Sequence, residues 1–441
     1  MKEKFVYPVS AYIPPPNGNL CIDGVSRKAF ESFQTLERYK EYRDCGFNEI
    51  IFAGEDKYVG EPYDGSNLKK MLDMAMAADL KAVVFDERLL SLTVNAKESI
   101  VNEFFDGKTK VFRKYVADCM HDYVAHPAFY GISVADEPKY GKRTVFYEIC
   151  EAVHSVHPDC FIMTCLLPCI QDQGLAKDAF GEGLSDRWKA YRRYLAVFAS
   201  SLGYVHYDCY PFGFWEGKNV VAHEFVRNMQ VAALAAQKAF VPFHMTIQSF
   251  SSGLHDELRR VDEQDLNWQT NLALGFGAKK IYYYSYWRFS TRPSDQSTSA
   301  IMDDDGSRII YDAVLANNKL LQNTAKHTSD YEYVSCDILR GEHENDGIEN
   351  LVIEPNRYLT NCKVQSSVLA NTLRCGDKYA VMVLNLRDPY EKATNAVHLE
   401  FIKPRRTVSM IKNGRLLSAT PIDNALDMTL SPGEAVWLLD M

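Results

Sequence analysis

Short apolar runs rich in β-branched and aromatic residues alternate, over most of the chain, with longer segments of helical pattern. Eight such runs begin at Val6, Phe47, Leu80, Phe129, Phe161, Tyr204, Pro242 and Lys280. Strands that alternate with helix-length segments form βα units and hence a parallel sheet. Eight consecutive units predict a (β/α)8 TIM barrel over residues 1–329, because this fold takes roughly 250 residues plus insertions.

Two of the intervening segments refine this prediction. The segment SRKAFESFQTLERYKEYRDCG starts with Ser26 and ends at Gly46, which is the polarity of a helix N-cap and C-cap. The segment from Cys169 to Ser201 is longer than its neighbours. It is expected to add a loop and an extra helix over the mouth of the barrel.

The pattern changes after about residue 330. Runs such as YAVMVLNL, AVHLEF, TVSMI and EAVWLLDM are short, alternate in polarity and are separated by turn residues such as Asn413-Gly414. Such runs are typical of antiparallel strands. The fold class predicted is therefore α/β: a (β/α)8 barrel at 1–329, followed by a small C-terminal antiparallel β-sandwich at 330–441.

Composition narrows the possible partners and location. The chain is 46% hydrophobic and 12% aromatic, which supports a full core and a surface that stacks on flat ligands. A net charge of −9 without a long basic run argues against nucleic acid and membrane as partners. The 11 cysteines are scattered without a C-x-x-C pair, which favours reduced thiols and a cytoplasmic location. The start of the chain lacks a signal-peptide pattern, although a leader already removed would leave no trace, and a homo-oligomer is compatible with the composition.

Polar residues end most of the predicted strands, at the end of the barrel where TIM-barrel active sites lie. In chain order they are Glu55, Asp56, Asp86, Glu87, Asp136, Glu137, Thr164, Cys165, His206, Asp208, Tyr210, His244, Thr246, Gln248, Tyr284, Tyr286, Trp287 and Arg288. We expect the active site among these side chains.

Strand alternation sorts these candidates. Three small residues of the fourth strand lead on one face to Glu137, which is expected to point inward at the rim. Polar triplets on the sixth and seventh strands (206, 208, 210 and 244, 246, 248) indicate a ligand-binding mouth. Asp136 is also a candidate helix cap, and for Asp86 and Glu87 structural and functional roles are equally supported. Each histidine taken alone is better explained as a buried core residue.

Other barrel chemistries lack their motifs. Ser10-Ala11-Tyr12 ends the first strand, where a metal-dependent amidohydrolase would have an H-x-H pair. We find no three-cysteine iron–sulfur motif, no strand-ending Schiff-base lysine and no G-x-G-x-x-G after a strand. His206 and Asp208 alone are too few ligands for a metal. The sequence therefore predicts neither a metal nor a cofactor.

Several motifs resemble those of the clan A glycoside hydrolases, loosely the family 42 β-galactosidases. They are HPAFYGISVADEP at the fourth strand, YDCYPFGFW at the sixth, NLALGFGAKKIYYYSYW into the eighth, and the closing SPGEAVWLLDM. In that clan the fourth strand typically ends in Asn-Glu, with the Glu as general acid/base. By this resemblance Asp136 takes the Asn position and Glu137 matches the acid/base.

The resemblance also implies a departure. The seventh strand of the clan supplies a nucleophilic Glu, but here FHMTIQSF has none and Gln248 stands nearest. Trp287 matches the Trp often found beneath the sugar. Glycoside hydrolysis needs a second group that attacks or stabilises the cationic carbon. By position Asp208 is the best such group, followed by Asp86 or Glu87, with Tyr210 as a weaker alternative.

These observations predict a glycoside hydrolase acting on a small glycan or glycoside. Glu137 would be the acid and Asp208 its partner, Tyr210, Tyr286 and Trp287 the sugar platform, and His206, His244, Gln248 and Arg288 the ligands for hydroxyls or a substrate carboxylate. The alternative is a non-catalytic carbohydrate-binding protein on a glycosidase-like barrel, which the missing seventh-strand Glu motivates. A non-glycosidic hydrolase or lyase is less well supported, because no nucleophile–base pair for acyl transfer is recognisable.

Overall fold

Eight parallel strands form the barrel in the computed structural model. The structure describes residues 5–16, 21–22, 25–26, 32–52, 62–94, 109–181, 186–222, 224–253, 258–288, 297–342 and 351–441. The strands are β1 (Val9–Ala11), β2 (Glu49–Ile51), β3 (Lys81–Phe85), β4 (Phe129–Ser133), β5 (Phe161–Met163), β6 (Val205–Asp208), β7 (Phe243–Gln248) and β8 (Ala278–Tyr284).

The strand order confirms the predicted barrel. Hydrogen-bonded neighbours follow the order β5-β4-β3-β2-β1-β8-β7-β6, and every pair is parallel. The two ends of this sheet meet through a parallel bridge between Leu166 and Tyr207, just past β5 and on β6. The sheet is thereby closed.

Helices cover the outside of the barrel. They are α1 (Leu36–Asp44), α2 (Asn67–Ala77), α3 (Glu87–Val94), α4 (Thr109–Met120), α5 (Arg143–Val156), α6 (Gln173–Phe180), α7 (Arg187–Leu202), α8 (Phe225–Ala239), α9 (Glu263–Gly275) and α10 (Tyr311–Thr328). Between β5 and β6 lie two helices, α6 and α7, in agreement with the extra helix expected there. None of the helices described combines the length and the apolar character needed to span a bilayer.

Helix α1 begins later than its segment predicted. Ser26 belongs to a short strand, Val25–Ser26, and the helix starts at Leu36. Thr35 is the N-cap, because its side chain accepts a hydrogen bond from the backbone N–H of Arg38. The end was predicted correctly, since Gly46 follows the helix with a φ of +100°.

A buried ion pair fills the amino end of the barrel. Lys280 of β8 pairs with Glu49, the first residue of β2, and its Nζ lies 4.1 Å from the ring centroid of Phe161. Above this pair, side chains such as Val83 and Tyr282 form a small apolar layer. The barrel is thus packed from its amino end upward, and its polar mouth lies at the carboxyl end of the strands.

Two antiparallel sheets form the C-terminal β-sandwich, as predicted. Its strands are β9 (Glu332–Leu339), β10 (Leu359–Val364), β11 (Val368–Cys375), β12 (Lys378–Asn385), β13 (Asn395–Phe401), β14 (Val408–Lys412), β15 (Arg415–Ala419), β16 (Ala425–Leu430) and β17 (Ala435–Leu439). One sheet has the order β9-β11-β12-β17-β14-β15 and the other β10-β13-β16. The Asn413-Gly414 turn joins β14 to β15 with positive φ at both residues, as a tight hairpin requires.

The larger sheet packs directly on the barrel helices. Met382 and Trp437 of the sandwich belong to the same apolar cluster as the barrel core. The side-chain amide of Asn371 donates to the carbonyl of Gly275 at the end of α9 (3.0 Å). The predicted boundary at 329/330 falls between the end of α10 and the start of β9. The barrel cluster continues across it into the larger sheet, while the sandwich has a second hydrophobic core of its own.

Candidate active site

Three carboxylates meet at the carboxyl end of the barrel. Asp136 and Glu137 follow β4, and Asp208 is the last residue of β6. Desolvation by the surrounding protein, and then the negative charge of Asp208, raise the pKa of Glu137 to about 8 and that of Asp136 to about 6. Both Asp136 and Glu137 keep part of their surface exposed to solvent. The structure brings the two predicted catalytic carboxylates into electrostatic contact.

Glu137 is held in an uncommon backbone conformation. Its φ is +44°, and its N–H donates a hydrogen bond to the carbonyl oxygen of Cys165, just past β5 (3.0 Å). The rigid Pro138 follows directly. A left-handed conformation in a residue other than glycine costs on the order of 1–3 kcal/mol and is found most often at active sites. The strain fixes the position of this carboxyl group at the rim.

The two carboxylate oxygens of Asp208 differ in their hydrogen bonding. Its Oδ2 accepts a hydrogen bond from the hydroxyl of Tyr210 (2.7 Å). Its Oδ1 is buried and accepts no hydrogen bond from any residue that the structure describes. Burial raises the pKa of Asp208, while the hydrogen bond from Tyr210 acts in the opposite direction.

Aromatic rings form one wall of this mouth. Tyr210 stacks on Tyr284, the last residue of β8, with 5.8 Å between ring centroids. Phe250 meets both rings edge-on, at 4.9 Å from Tyr210 and 5.2 Å from Tyr284. Tyr12 meets the edge of Tyr284 at 5.6 Å. Flat rings beside carboxylates are suited to bind the apolar face of a sugar.

Tyr12 and Phe250 were missed as site residues by the sequence analysis. Burial is the largest cause of the raised pKa of Tyr12, and the charges of Asp136 and Asp208 add to it, which places Tyr12 beside the carboxylates. The signal was its position directly after β1. Phe250 lies two residues after the end of β7. It was missed because the sequence analysis selected polar residues at strand ends, and Phe250 has no polar group.

Tyr286 and Trp287 do not form the platform that was expected of them. Tyr286 is fully buried and packs against Tyr42 of α1, with 4.7 Å between ring centroids. Trp287 is 2% exposed and packs on Phe33 at 4.8 Å. Strand β8 ends at Tyr284, so the in–out alternation that would have aimed residue 286 into the mouth stops there.

His206 and His244 lie beneath the mouth as core residues. One ring nitrogen of His206 is 2.8 Å from the carbonyl of Thr164 and the other 2.7 Å from the hydroxyl of Thr246. Burial lowers the pKa of His206 to about 3 and that of His244 well below its usual range. His244 stacks on Tyr204 at 4.7 Å. Both rings are neutral and enclosed. They are therefore not placed to bind substrate hydroxyls, as the sequence had predicted.

Asp86 is engaged away from the mouth. It is fully buried, pairs with Arg88 at 2.7 Å and accepts a hydrogen bond from the hydroxyl of Tyr123 (3.0 Å). It also accepts the backbone N–H of Arg88 at the start of α3 (2.9 Å). Glu87 is the first residue of that helix and is partly exposed. Asp86 thus has a structural role, which weakens it as the second catalytic group.

Gln248 holds two loops together. Its Oε1 accepts the backbone N–H of Phe212 (3.0 Å), and its Nε2 donates to the carbonyls of Phe212, Phe250 and Arg259 at 3.1–3.3 Å. The residue is fully buried. A contact with a sugar hydroxyl, as predicted, would have to displace one of these bonds.

Arg288 is also committed to protein partners. Its guanidinium donates to Asp303 (2.8 Å) and to the carbonyl of Ser297 (2.9 Å). It was expected to bind a hydroxyl or a substrate carboxylate, but the acidic partner already balances its charge. Glu55 and Asp56, predicted at the end of the second strand, lie outside the described residues. Over the residues described, no group of three His, Cys, Asp or Glu side chains is arranged to hold a metal ion.

Comparison with known proteins supports the fold. No family model matches the sequence, and no curated protein matches it. A solved structure described as a glycoside hydrolase has a TM-score of 0.55 at 10% identity, with 99% of this chain and 92% of that chain covered. A family 5 glycoside hydrolase from Bacteroides vulgatus has a TM-score of 0.54 at 10% identity, with 99% of this chain and 89% of that chain covered. An α-amylase from Anoxybacillus has a TM-score of 0.53 at 11% identity, with 98% and 97% covered.

Each of these likenesses extends over nearly the whole chain. At about one identical residue in ten, they show that the fold is shared and do not extend to substrate or mechanism. The three proteins named above are glycoside hydrolases by their descriptions, in keeping with the resemblance seen in the sequence. The closer resemblance to family 42 stays a prediction.

Proposed function

We propose that this chain is a glycoside hydrolase for a small glycan or glycoside, with Glu137 as the general acid and Asp208 as the second catalytic carboxylate. One observation carries the proposal: Glu137 and Asp208 interact across a mouth lined by aromatic rings, and the charge of Asp208 helps to keep Glu137 protonated. Two carboxyl groups with different tasks are what glycoside hydrolysis requires.

The proposed mechanism divides the work between the two groups. Glu137, with a pKa near 8, holds a proton at neutral pH and passes it to the glycosidic oxygen as the bond to the leaving group breaks. Asp208 in its ionised form supplies the negative charge that stabilises the carbon that becomes positive. Tyr210 holds the other oxygen and so fixes the direction of the carboxylate. Tyr12, Tyr284 and Phe250 are the proposed sugar platform.

The pH dependence of kcat is expected to follow these two groups. A general acid must carry its proton, so kcat should fall as the pH rises through about 8, the pKa of Glu137. Asp208 must be ionised, so kcat should rise through the raised pKa of Asp208 on the acid side. The measurement is kcat as a function of pH in a series of buffers of constant ionic strength, and a bell-shaped curve is expected. A monotonic rise in kcat beyond about pH 9 would contradict the role of Glu137.

The second candidate is a carbohydrate-binding protein without catalysis. It is favoured by Gln248, because β7 offers an amide committed to the backbone at the position where the resemblance implies a nucleophilic carboxylate. The two functions are separated by screening aryl glycosides and natural oligosaccharides for turnover, alongside calorimetry with the same sugars. Turnover supports the hydrolase, and saturable binding without turnover supports the second candidate. The absence of both binding and turnover would count against both candidates.

A further inference from the structure

We propose that Arg259 is a positioning residue for the aromatic wall of the mouth, and that the β-sandwich holds it in place through the loop 388–392. Arg259 lies between β7 and α9, and the loop lies between β12 and β13. The role rests on the proposed function, because the aromatic wall is the proposed sugar platform. It goes further in giving the sandwich a part in substrate binding.

The guanidinium of Arg259 joins the barrel to the sandwich. It donates two hydrogen bonds to the carboxylate of Asp265 in the first turn of α9, at 2.6 and 2.8 Å. A third hydrogen bond goes to Asp388 of the sandwich loop (2.8 Å). The side chain of Arg259 is 7% exposed and that of Asp388 14%, so solvent screens this pair little. Such a planar fork of donors holds the arginine in one orientation.

The backbone of Arg259 is joined to the mouth. Its N–H donates to the carbonyl of Phe212 (3.1 Å), and its own carbonyl accepts a hydrogen bond from Nε2 of Gln248 (3.1 Å). The same Nε2 donates to the carbonyl of Phe250 (3.3 Å), and the ring of Phe250 belongs to the aromatic wall. A continuous series of hydrogen bonds therefore leads from the sandwich to the proposed sugar platform.

The loop 388–392 contacts the same part of the barrel at further points. Lys392 pairs with Asp262, which is the N-cap of α9. The Cζ of Arg259 lies 5.3 Å from the ring centroid of Tyr390, within the range of a cation–π contact. These contacts limit the movement of the loop against α9, and with it the movement of Arg259.

Loss of this link is expected to act on binding more than on chemistry. The position of Phe250 depends on the hydrogen bonds that Arg259 helps to order. Glu137 follows β4 and takes its backbone hydrogen bond from Cys165, so it does not depend on Arg259. A sugar should therefore bind more weakly when the link is cut, while the bond-breaking step is retained.

The first test is the steady-state kinetics of Asp388→Ala on the most rapidly hydrolysed glycoside. KM should rise roughly threefold to tenfold, the worth of one aromatic contact, while kcat changes by less than about twofold. Asp388→Asn keeps an oxygen that can accept from Arg259 and from the N–H of Tyr390, so it should restore most of the loss. The matched control is Glu391→Ala, which truncates an acidic side chain of the same loop that pairs with Arg387.

The second test needs no substrate. Hydrogen exchange followed by mass spectrometry compares the unaltered chain with Asp388→Ala, in peptides that contain Phe212, Gln248 or Arg259. Exchange in these peptides should become about tenfold faster, the effect of one lost hydrogen bond to a charged group. Peptides that contain Glu137 should exchange at the same rate in both proteins.

The outcomes separate this role from the proposed function. Unchanged exchange in the three sets of peptides overturns the link, whatever the activity. Faster exchange with an unchanged KM overturns the positioning role, and the glycosidase assignment then stands without it. If no glycoside is cleaved, the Kd of a bound sugar takes the place of KM. If no sugar binds either, the proposed function fails and the positioning role fails with it.

Discussion

Glu137→Gln is expected to lower kcat by roughly 10²- to 10⁴-fold on glycosides with poor leaving groups, the range of a general acid. The glutamine keeps the shape of the side chain at the strained position but has no acidic proton to give to the departing oxygen. Glycosides with strongly activated leaving groups, such as dinitrophenols, need little help from an acid. On these the loss in the bond-breaking step should be far smaller.

The dependence on the leaving group is the sharp readout of this prediction. The measurement is a series of aryl glycosides of graded leaving-group pKa, with kcat/KM plotted for the unaltered chain and for Glu137→Gln. Only loss of the acid steepens that plot. Glu151→Gln makes the same chemical change at an exposed position of α5 and serves as the matched control. A Glu137→Gln variant as active as the unaltered chain, or one whose loss is the same for every leaving group, would contradict the assignment.

Folding of Glu137→Gln can be checked by measuring its melting temperature as a function of pH. The pKa of Glu137 is raised in the folded chain, so its ionisation opposes folding, and this cost grows as the pH rises from the usual carboxyl range to about 8. Glu137→Gln should therefore melt at the same or a higher temperature than the unaltered chain above that pH. A large loss of activity with an undiminished melting temperature separates chemistry from misfolding.

Asp208→Asn is expected to lower kcat by roughly 10²- to 10³-fold, the cost of removing a group that stabilises transition-state charge, and by more if Asp208 forms a covalent bond to the sugar. The amide cannot attack the cationic carbon and carries no charge to stabilise it. This loss should apply to activated and poor leaving groups alike. That pattern distinguishes the role of Asp208 from the role of Glu137.

The same variant tests the electrostatic link between the two groups. The charge of Asp208 raises the pKa of Glu137, second only to burial. Removing it should move the alkaline limb of the residual activity to lower pH. The measurement is the pH profile of Asp208→Asn on a glycoside with a poor leaving group, whose cleavage depends on the proton of Glu137. A variant with near-normal kcat, or with an unmoved alkaline limb, would show that Asp208 is not the partner of Glu137.

The barrel and its carboxylate pair were predictable because both depend on local pattern and on a general rule. Apolar runs separated by helical segments determine a parallel barrel, and parallel strands end at the same rim. Glu137 follows β4 and Asp208 ends β6, two strands away in the barrel, so both were expected at that rim. The sequence does not contain the pKa of Glu137, which depends on the walls around it.

The expected sugar platform failed because strand alternation was continued beyond the strand. Tyr286 shares the parity of Tyr282 and Tyr284, but β8 stops at Tyr284 and Tyr286 turns into the helix layer. The burial of Asp86 could not be predicted from the sequence around it, because one of its partners, Tyr123, lies 37 residues away along the chain. Tertiary partners of this kind are invisible to period and spacing.

The shared core of the barrel and the sandwich sets limits on how this protein can change over evolution. An appendage joined by a linker can be lost or replaced without disturbing its neighbour, whereas a sheet whose Met382 and Trp437 pack into the barrel cluster cannot. Larger side chains on that sheet would have to be accommodated by α9, because Gly275 of α9 lies against Met382. New specificity in this lineage is therefore expected to arise from altered rim residues, with the two parts inherited as a single unit.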